Sequence, residues 1–342
     1  MNGAATVSHQ RVVAKPLTFA LLRLLVDGEF HSGKTLAQRL GISRTSVSNA
    51  LRGMEGYGLA LYSVRGRGYC LSNPPQWLKA ASIERALGEQ ARQFKIEILD
   101  SASSSNTLLL QRAAQGAPGG SVLAVEWQSG GRGRMGRVWH SGLGNALTFS
   151  LLWRFEQGLS TLSGLSLAAG VALIRALRAL GIANAQLKWP NDVLGTQGKL
   201  AGILIEAQGD MLGPSAVVIG IGLNLSLPQH LLPQIDQPVT SLTDMMATQN
   251  VPERNTLLAT ILRELHGVLH EFSRHGFAPF KAEWESCHAL HNQTTQLLLP
   301  DGSRAVGIAR GVTENGALIL ETAQGRQICH AGEISLAASG IS

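Results

Sequence analysis

Apolar and polar positions alternate along this chain in three registers, which divide it into three parts. Residues 16–26 repeat apolar positions at helical spacing until Asp27-Gly28 stops them. Ser32 then caps a second helix with Leu36, Ala37 and Leu40 on one face, and Gly41 turns the chain. Ser43 caps a third, with Val47, Leu51 and Met54 at i, i+4 and i+7. Two helices about a short glycine turn predict a helix-turn-helix. Residues 60–64 and 69–71 predict two short strands turned by Arg65-Gly-Arg-Gly68, so the unit is expected to be winged, and Asn73-Pro-Pro75 reads as a linker. From there strands are expected over 94–100, 121–127, 145–153 and 216–225. Residues 195–198 should turn a hairpin whose second arm is 199–207. Helices are expected after 101–106 (Leu108, Leu109 and Ala113 inward), over 159–180 and over 254–274. Finally, 294–299, 304–310, 317–320 and 326–330 alternate with period two between Asp301-Gly302, Asn315-Gly316 and Gln324-Gly325, the pattern of a small barrel. The reading is α+β, with a winged helix-turn-helix at 1–73, a mixed-sheet domain at 74–286 and a small barrel at 287–342.

Charge sharpens the first of these assignments. Nine Lys/Arg and three Asp/Glu fall in the first 75 residues, whereas the other 267 hold twenty of each, so the whole net charge of +6 sits at one end. That asymmetry points to a polyanion. Ser43, Arg44, Thr45, Ser46, Ser48, Asn49 and Arg52 on the third helix, with Arg65 and Arg67 in the wing, are the candidate DNA contacts. A small helical unit for protein contacts is the alternative. Cys70, Cys287 and Cys329 are scattered, so free thiols in a reducing compartment are expected. The first thirteen residues lack the pattern of a signal peptide, and 165–177 is too short and too polar to span a bilayer. A cytoplasmic protein with no membrane contact follows.

The candidate chemistry starts at Gly131-Arg-Gly-Arg-Met-Gly-Arg137. Its glycines satisfy GxGxxG, but a strand rather than a helix follows and three arginines intervene, so a dinucleotide fingerprint is rejected. Gly220-Ile-Gly222 lacks the third glycine, and no GxxxxGK[ST] occurs. What remains is a glycine loop with Arg132, Arg134 and Arg137, suited to phosphate or carboxylate and to ordering around a ligand. His266 and His270 are spaced i, i+4 but lack the Glu of HExxH. They and His288 and His291 read as surface or capping residues, and no metal site is expected.

Four blocks in order, Gly131–Arg137, Lys188-Trp-Pro-Asn-Asp192, Lys199-Leu-Ala-Gly-Ile-Leu204 and Gly220-Ile-Gly-Leu-Asn224, resemble the signature blocks of biotin–protein ligases. With Gly28-Glu-Phe-His-Ser-Gly33 and Arg65-Gly-Arg-Gly-Tyr69, the chain resembles their bifunctional winged-helix form, the biotin operon repressors, over residues 16–337. The resemblance implies a class II synthetase-like catalytic domain and an SH3-like C-terminal barrel. It implies biotin and ATP as substrates, Mg²⁺ with the nucleotide, and biotinyl-5′-AMP as intermediate and corepressor. It also implies biotin carboxyl carrier protein of acetyl-CoA carboxylase as acceptor, operator DNA, and a homodimer when the adenylate is bound. By the same resemblance Ser104, Ser105, Asn106, Gln128, Arg132, Gly133, Arg134, Lys199 and Gly202 would meet biotin, with Lys199, Arg134 and Arg132 catalytic. Gly131, Arg137, His140, Lys188, Asn191, Asp192 and Asn224 would serve ATP, His140 standing where an aromatic is expected over adenine. Trp139 and Trp189 read as packing. A biotin-responsive regulator without ligase activity, or a lipoate ligase, are the rival readings.

Overall fold

A computed structural model describes residues 16–229, 231–246 and 251–337. The leader expectation for the first residues, and the last five positions of the C-terminal segment, lie outside the described residues.

The N-terminal unit holds α1 (Pro16–Leu24), α2 (Gly33–Leu40) and α3 (Arg44–Ala50). Ser32 Oγ accepts from Thr35 N and Ser43 Oγ from Ser46 N, each at 3.0 Å, so both predicted caps form. Gly41 sits at φ 64°, the left-handed conformation that the turn requires. α3 is shorter than expected: Gly53 at φ 76° ends it, and Met54–Tyr57 continue as a 3-10 turn. Leu51 and Met54 still bury, because the turn folds back onto Phe19, Leu22, Leu36 and Val47. The wing is an antiparallel pair, β1 (Leu61–Val64) and β2 (Gly68–Leu71), extended by a bridge from His31 to Tyr69.

The predicted linker is clamped where it leaves this unit. Leu78 N donates to Glu126 Oε1 (2.7 Å), and Glu126 Oε2 receives Arg254 Nη1 (2.6 Å) in a pair with side-chain exposures of 0% and 3%. Arg254 Nη1 also donates to the carbonyl of Gln76, and Lys79 N donates to Asn255 Oδ1 at 2.7 Å. A charge pair this deep is supported by backbone groups, the Leu78 N–H and the Gln76 and Ala146 carbonyls, which take most of its hydrogen bonds and leave Arg254 Nε without one.

The central part runs α4 (Ala80–Leu87), β3 (Lys95–Ala102), α5 (Ser105–Ala114), β4 (Ser121–Gln128), β5 (Ala146–Phe155), α6 (Leu165–Ala179), β6 (Gln186–Lys188), β7 (Asp192–Leu194), β8 (Lys199–Gly209), β9 (Ser215–Asn224), α7 (Leu242–Met245), α8 (Arg254–His275) and α9 (Lys281–Ser286). The strand order is β3-β4-β5-β9-β8-β7-β6, parallel only between β3 and β4, hence mixed. Both faces are covered. Along β4, Val122 and Ala124 face the core that α6 and α8 complete, while Leu123 and Val125 face Leu109 and Ala113 of α5. Leu108, expected inward, is half-buried at that core's margin. The helix expected over 159–180 begins only at Leu165. Gly164 at φ 81° precedes it, and a Cβ there would lie 2.6 Å from Phe277 Cβ.

The C-terminal part is an antiparallel sheet in the order β13-β12-β11-β10-β14: β10 (Thr294–Leu298), β11 (Arg304–Val312), β12 (Leu318–Thr322), β13 (Gly325–Cys329) and β14 (Glu333–Leu336). β14 was not expected, being four residues long with Ile334 alone fully buried. The sheet shares one core with the central part through Leu297, Val312, Leu318 and Ile334, and Trp189 Nε1 donates to Gly316 O across the join. Among the described residues no helix is long and apolar enough to cross a membrane.

Candidate active site

The chain enters the site where β3 ends and α5 begins. Ser104 has extended backbone and caps the helix, its Oγ accepting from Thr107 N at 3.4 Å. The first helical turn then directs Ser105 and Asn106 onto the sheet, where both are buried. Ser105 N donates to Gln128 Oε1 at the end of β4 (2.9 Å). Ser150 of β5 donates to Asn106 Oδ1 (2.6 Å), its Oγ 2.7 Å from Ser105 Oγ. Asn106 Nδ2 donates to Leu204 O (3.1 Å) and Glu206 Oε2 (2.9 Å). Gly220 makes room for this: a Cβ there would fall 2.2 Å from Asn106 Oδ1. Hydroxyls and amides thus converge in one buried cluster that could exchange partners with a ligand carrying both donors and acceptors.

The glycine loop is a tight hairpin. Trp139 N donates to Gly131 O (2.9 Å) and Gly133 N to Arg137 O (2.8 Å), while Met135 (φ 53°) and Gly136 (φ 74°) make the turn. Gly131 allows the closure, since a Cβ would lie 2.6 Å from Trp139 O. The hairpin sends its arginines three ways. Arg132 Nη2 donates to Thr107 Oγ1 (2.7 Å) and Glu206 Oε1 (3.1 Å), Arg134 Nη1 donates to Asn191 Oδ1 (3.3 Å), and Arg137 pairs with Glu333 of β14. Burial lowers the pKa of Arg134, opposed by Glu333 and Asp192. A desolvated guanidinium bonded to a neutral amide is a strong claimant for an incoming anion.

Opposite lies a lysine pair. The β6–β7 hairpin sets Lys188 across from Asp192, and β7–β8 pairing sets Asp192 across from Gly202. Lys199 Nζ reaches Asp192 Oδ1 at 2.7 Å and Lys188 Nζ reaches Oδ2 at 3.1 Å, so one carboxylate faces two ammonium groups. Gly202 lies under the Lys199 side chain, its hypothetical Cβ 3.2 Å from Cε. Asn191 Nδ2 donates to Ile203 O, and Asn224 Nδ2 donates to Lys199 O (3.2 Å) and Thr240 O (3.1 Å), fixing the start of β8.

These walls line an open cavity of about 870 Å³, counted out to its mouth. It brings together Ser104, Ser105, Asn106, Gln128, Arg132, Gly133, Arg134, Arg137, Lys188, Asn191, Asp192, Lys199 and Gly202. Gly131, His140 and Asn224 are not among the residues that line it. Trp139, read from sequence as packing, lines the cavity itself. Its ring lies over β9 where a Cβ on Gly222 would approach to 2.4 Å, 6.0 Å from Lys199 Nζ, with its buried Nε1 unpartnered. Glu206 and Ser150 were not anticipated; glycine at both 220 and 222 on one strand face signals bulk laid across it, that of Asn106 and Trp139. Five cations and two carboxylates among the lining residues make the cavity a receptor for anions.

On the N-terminal unit, Arg44, Thr45, Ser48, Asn49 and Arg52 project from α3 and its end into solvent. Ser43 and Ser46 are spent on the cap, their hydroxyls 2.9 Å apart. Arg65 is exposed at the wing tip, and Arg67 lies with its guanidinium 4.1 Å over the Phe30 ring. His288, expected at the surface, is instead 5% exposed, because it stacks on Trp284 (4.6 Å) beside the bridge from His288 to Leu187.

Three family models match the chain: the Biotin/lipoate A/B protein ligase family over residues 98–224, an HTH domain over 18–70, and the Biotin protein ligase C terminal domain over 290–337. The chain is 37% identical to the bifunctional ligase/repressor BirA of Escherichia coli, covering 92% of this chain and 96% of that protein. It is 32% identical to the biotin–[acetyl-CoA-carboxylase] ligase of Mycobacterium tuberculosis, over 73% of this chain and 92% of that one. Among solved structures, the Aquifex aeolicus biotin protein ligase in complex with biotin and ATP superposes with a TM-score of 0.61 at 27% identity, over 72% of this chain and 99% of that chain.

Proposed function

The chain belongs to the biotin–protein ligase family, in its bifunctional ligase/repressor form, and on that premise we propose that the cavity activates biotin with ATP and passes it to a lysine of the biotin carboxyl carrier protein of acetyl-CoA carboxylase. In the first step the biotin carboxylate attacks the α-phosphate, a mixed anhydride forms and pyrophosphate leaves. In the second, the acceptor's ε-amine attacks the acyl carbon, an amide forms and AMP leaves.

The observation that carries this reading is the convergence of Arg132, Arg134, Lys188 and Lys199 on one cavity beside a cluster of buried hydroxyls and amides. Two anions must meet in the first step, and fixed cations offset their repulsion most where charge gathers in the transition state. Lys199 takes that place, while Arg132 and Arg134 grip the phosphate and hold the adenylate in. Ser104, Ser105, Asn106 and Gln128 bind the ureido ring, and Gly133 and Gly202 let the backbone approach. Lys188, Arg137, Asn191 and Asp192 serve the nucleotide. Gly131, His140 and Asn224 support it without lining the cavity, Asn224 through the Lys199 carbonyl that it holds. Both carboxylates of the lining are paired, Asp192 with two lysines and Glu333 with Arg137. Mg²⁺ therefore enters on the triphosphate of its substrate complex, with oxygens the nucleotide supplies.

We divide the chain at 73/74 and 286/287, as its three sheets suggest. The first part binds operator DNA with biotinyl-AMP as corepressor. One helix-turn-helix per chain reads half a palindrome, so the adenylate-bound form acts as a homodimer. We place the protein in the cytoplasm, where nucleotide, carrier and operator are found together. Pyrophosphate release tests the chemistry. Release that depends on biotin, and product on the carrier lysine, is expected; turnover with lipoate and none with biotin would replace this reading.

A further inference from the structure

α8 carries two histidines one turn apart, His266 and His270, that the ligase chemistry does not use and that do not line the cavity. Their Nε2 atoms lie 3.2 Å apart. The rings are held from outside the helix. His266 stands edge-on to Phe94 and to Trp153, 5.8 Å from each, and His270 edge-on to Trp153 at 5.1 Å. Phe94 leads into β3 and Trp153 belongs to β5, so a packed aromatic frame limits the rotamers of both imidazoles before any ligand arrives.

Two ring nitrogens at this separation can share one proton in a hydrogen bond, or both can turn a lone pair to a common point. An ion about 2.1 Å from each nitrogen, the usual zinc–imidazole length, would see them at an angle of about 100°, between the octahedral and tetrahedral values. We propose that His266 and His270 form a chelating site for one divalent transition-metal ion of the zinc, nickel or copper class, with water completing its coordination. The imidazole donors select that class over Mg²⁺ or Ca²⁺. Among the described residues no group of three or more His, Cys, Asp or Glu could hold a metal, so the site is a two-ligand clip. The missing Glu of a hydrolytic HExxH motif leaves it without a catalytic role. Its effect is to tie successive turns of α8, the helix whose first residue is the buried Arg254.

The test is calorimetric titration of the full, chelator-stripped chain with Ni²⁺ alone, in wild type, His266→Gln, His270→Gln and the double variant. The expected result is one site that each single substitution weakens at least tenfold, because the second imidazole then no longer acts at high effective concentration. Saturating Ni²⁺ should raise the Tm of wild type and not that of the double variant. Binding that survives unchanged in the double variant, or wild type with no saturable site, overturns the proposal. So does a single variant that keeps the wild-type affinity, since one imidazole would then suffice.

Discussion

Asp192 is the residue on which the cavity's electrostatics turn, because its carboxylate stands between the ammonium groups of Lys188 and Lys199. Asp192→Asn leaves two half-buried cations facing each other, a loss with no compensating contact. We expect a lower Tm for the unliganded variant and substantial recovery with saturating ATP, whose phosphates replace the lost charge; equal melting of variant and wild type would show that the lysines need no counter-ion. His288 makes a second prediction. Burial, aided by like charge from His291, pushes its pKa from 6.5 to about 4. The folded state therefore resists protonation while the unfolded chain accepts it, so stability is greatest above pH 6.5 and falls between pH 6.5 and 4, by about 3 kcal/mol for this group. His288→Phe should flatten that part of the urea-unfolding profile, and an unchanged slope would remove His288 from the account. At this scale the sequence misleads in an instructive way. Nothing about a lone histidine tells burial from exposure, and only the packing of Trp284 and the bridge to Leu187 decides it.

Among the elements, those with strong local signals were legible. Ser32, Ser43 and Gly41 marked α2 and α3, and the short apolar runs of the central sheet emerged as strands, because caps and apolar patterning act within a few residues of themselves. Local signals failed where a distant contact decides. α6 starts at Leu165 because Gly164 is pressed against Phe277, and β14 pairs with β10 by only four residues. The site divides the same way. Its charged loop and lysines stood out as motifs, whereas Ser150 and Glu206 join it through strand register and Trp139 through closure of the loop hairpin, which no short motif records. The wing carries its own prediction. Arg65 projects at its tip, free of the stacking that occupies Arg67. Arg65→Ala should weaken binding to all duplexes alike and reduce the slope of log K against log salt by about one. A loss confined to one sequence would make Arg65 a base reader instead.

At the scale of the molecule the three parts are not loosely strung. Tyr57 of the N-terminal unit packs on Trp127 at 4.7 Å, one residue before Gln128 of the cavity, and Leu143 N donates to the Tyr57 carbonyl. Arg137 and Trp189 reach the C-terminal sheet. Tyr57→Ala should therefore cost about 3 kcal/mol in urea unfolding, as for other buried aromatic truncations, and a loss below 1 kcal/mol would mean that the units barely support each other. The cavity's chemistry turns on the Lys199 ammonium, at the start of β8, which faces Asp192. The direct measurement is turnover of α-labelled ATP with biotin, with and without the carrier domain, in wild type and in Lys199→Met. A biotin-dependent adenylate that moves to the carrier, and that Lys199→Met slows by about 100-fold or more, is the predicted result. Biotin binding without adenylate in the wild type, or full activity without the Lys199 ammonium, would contradict it.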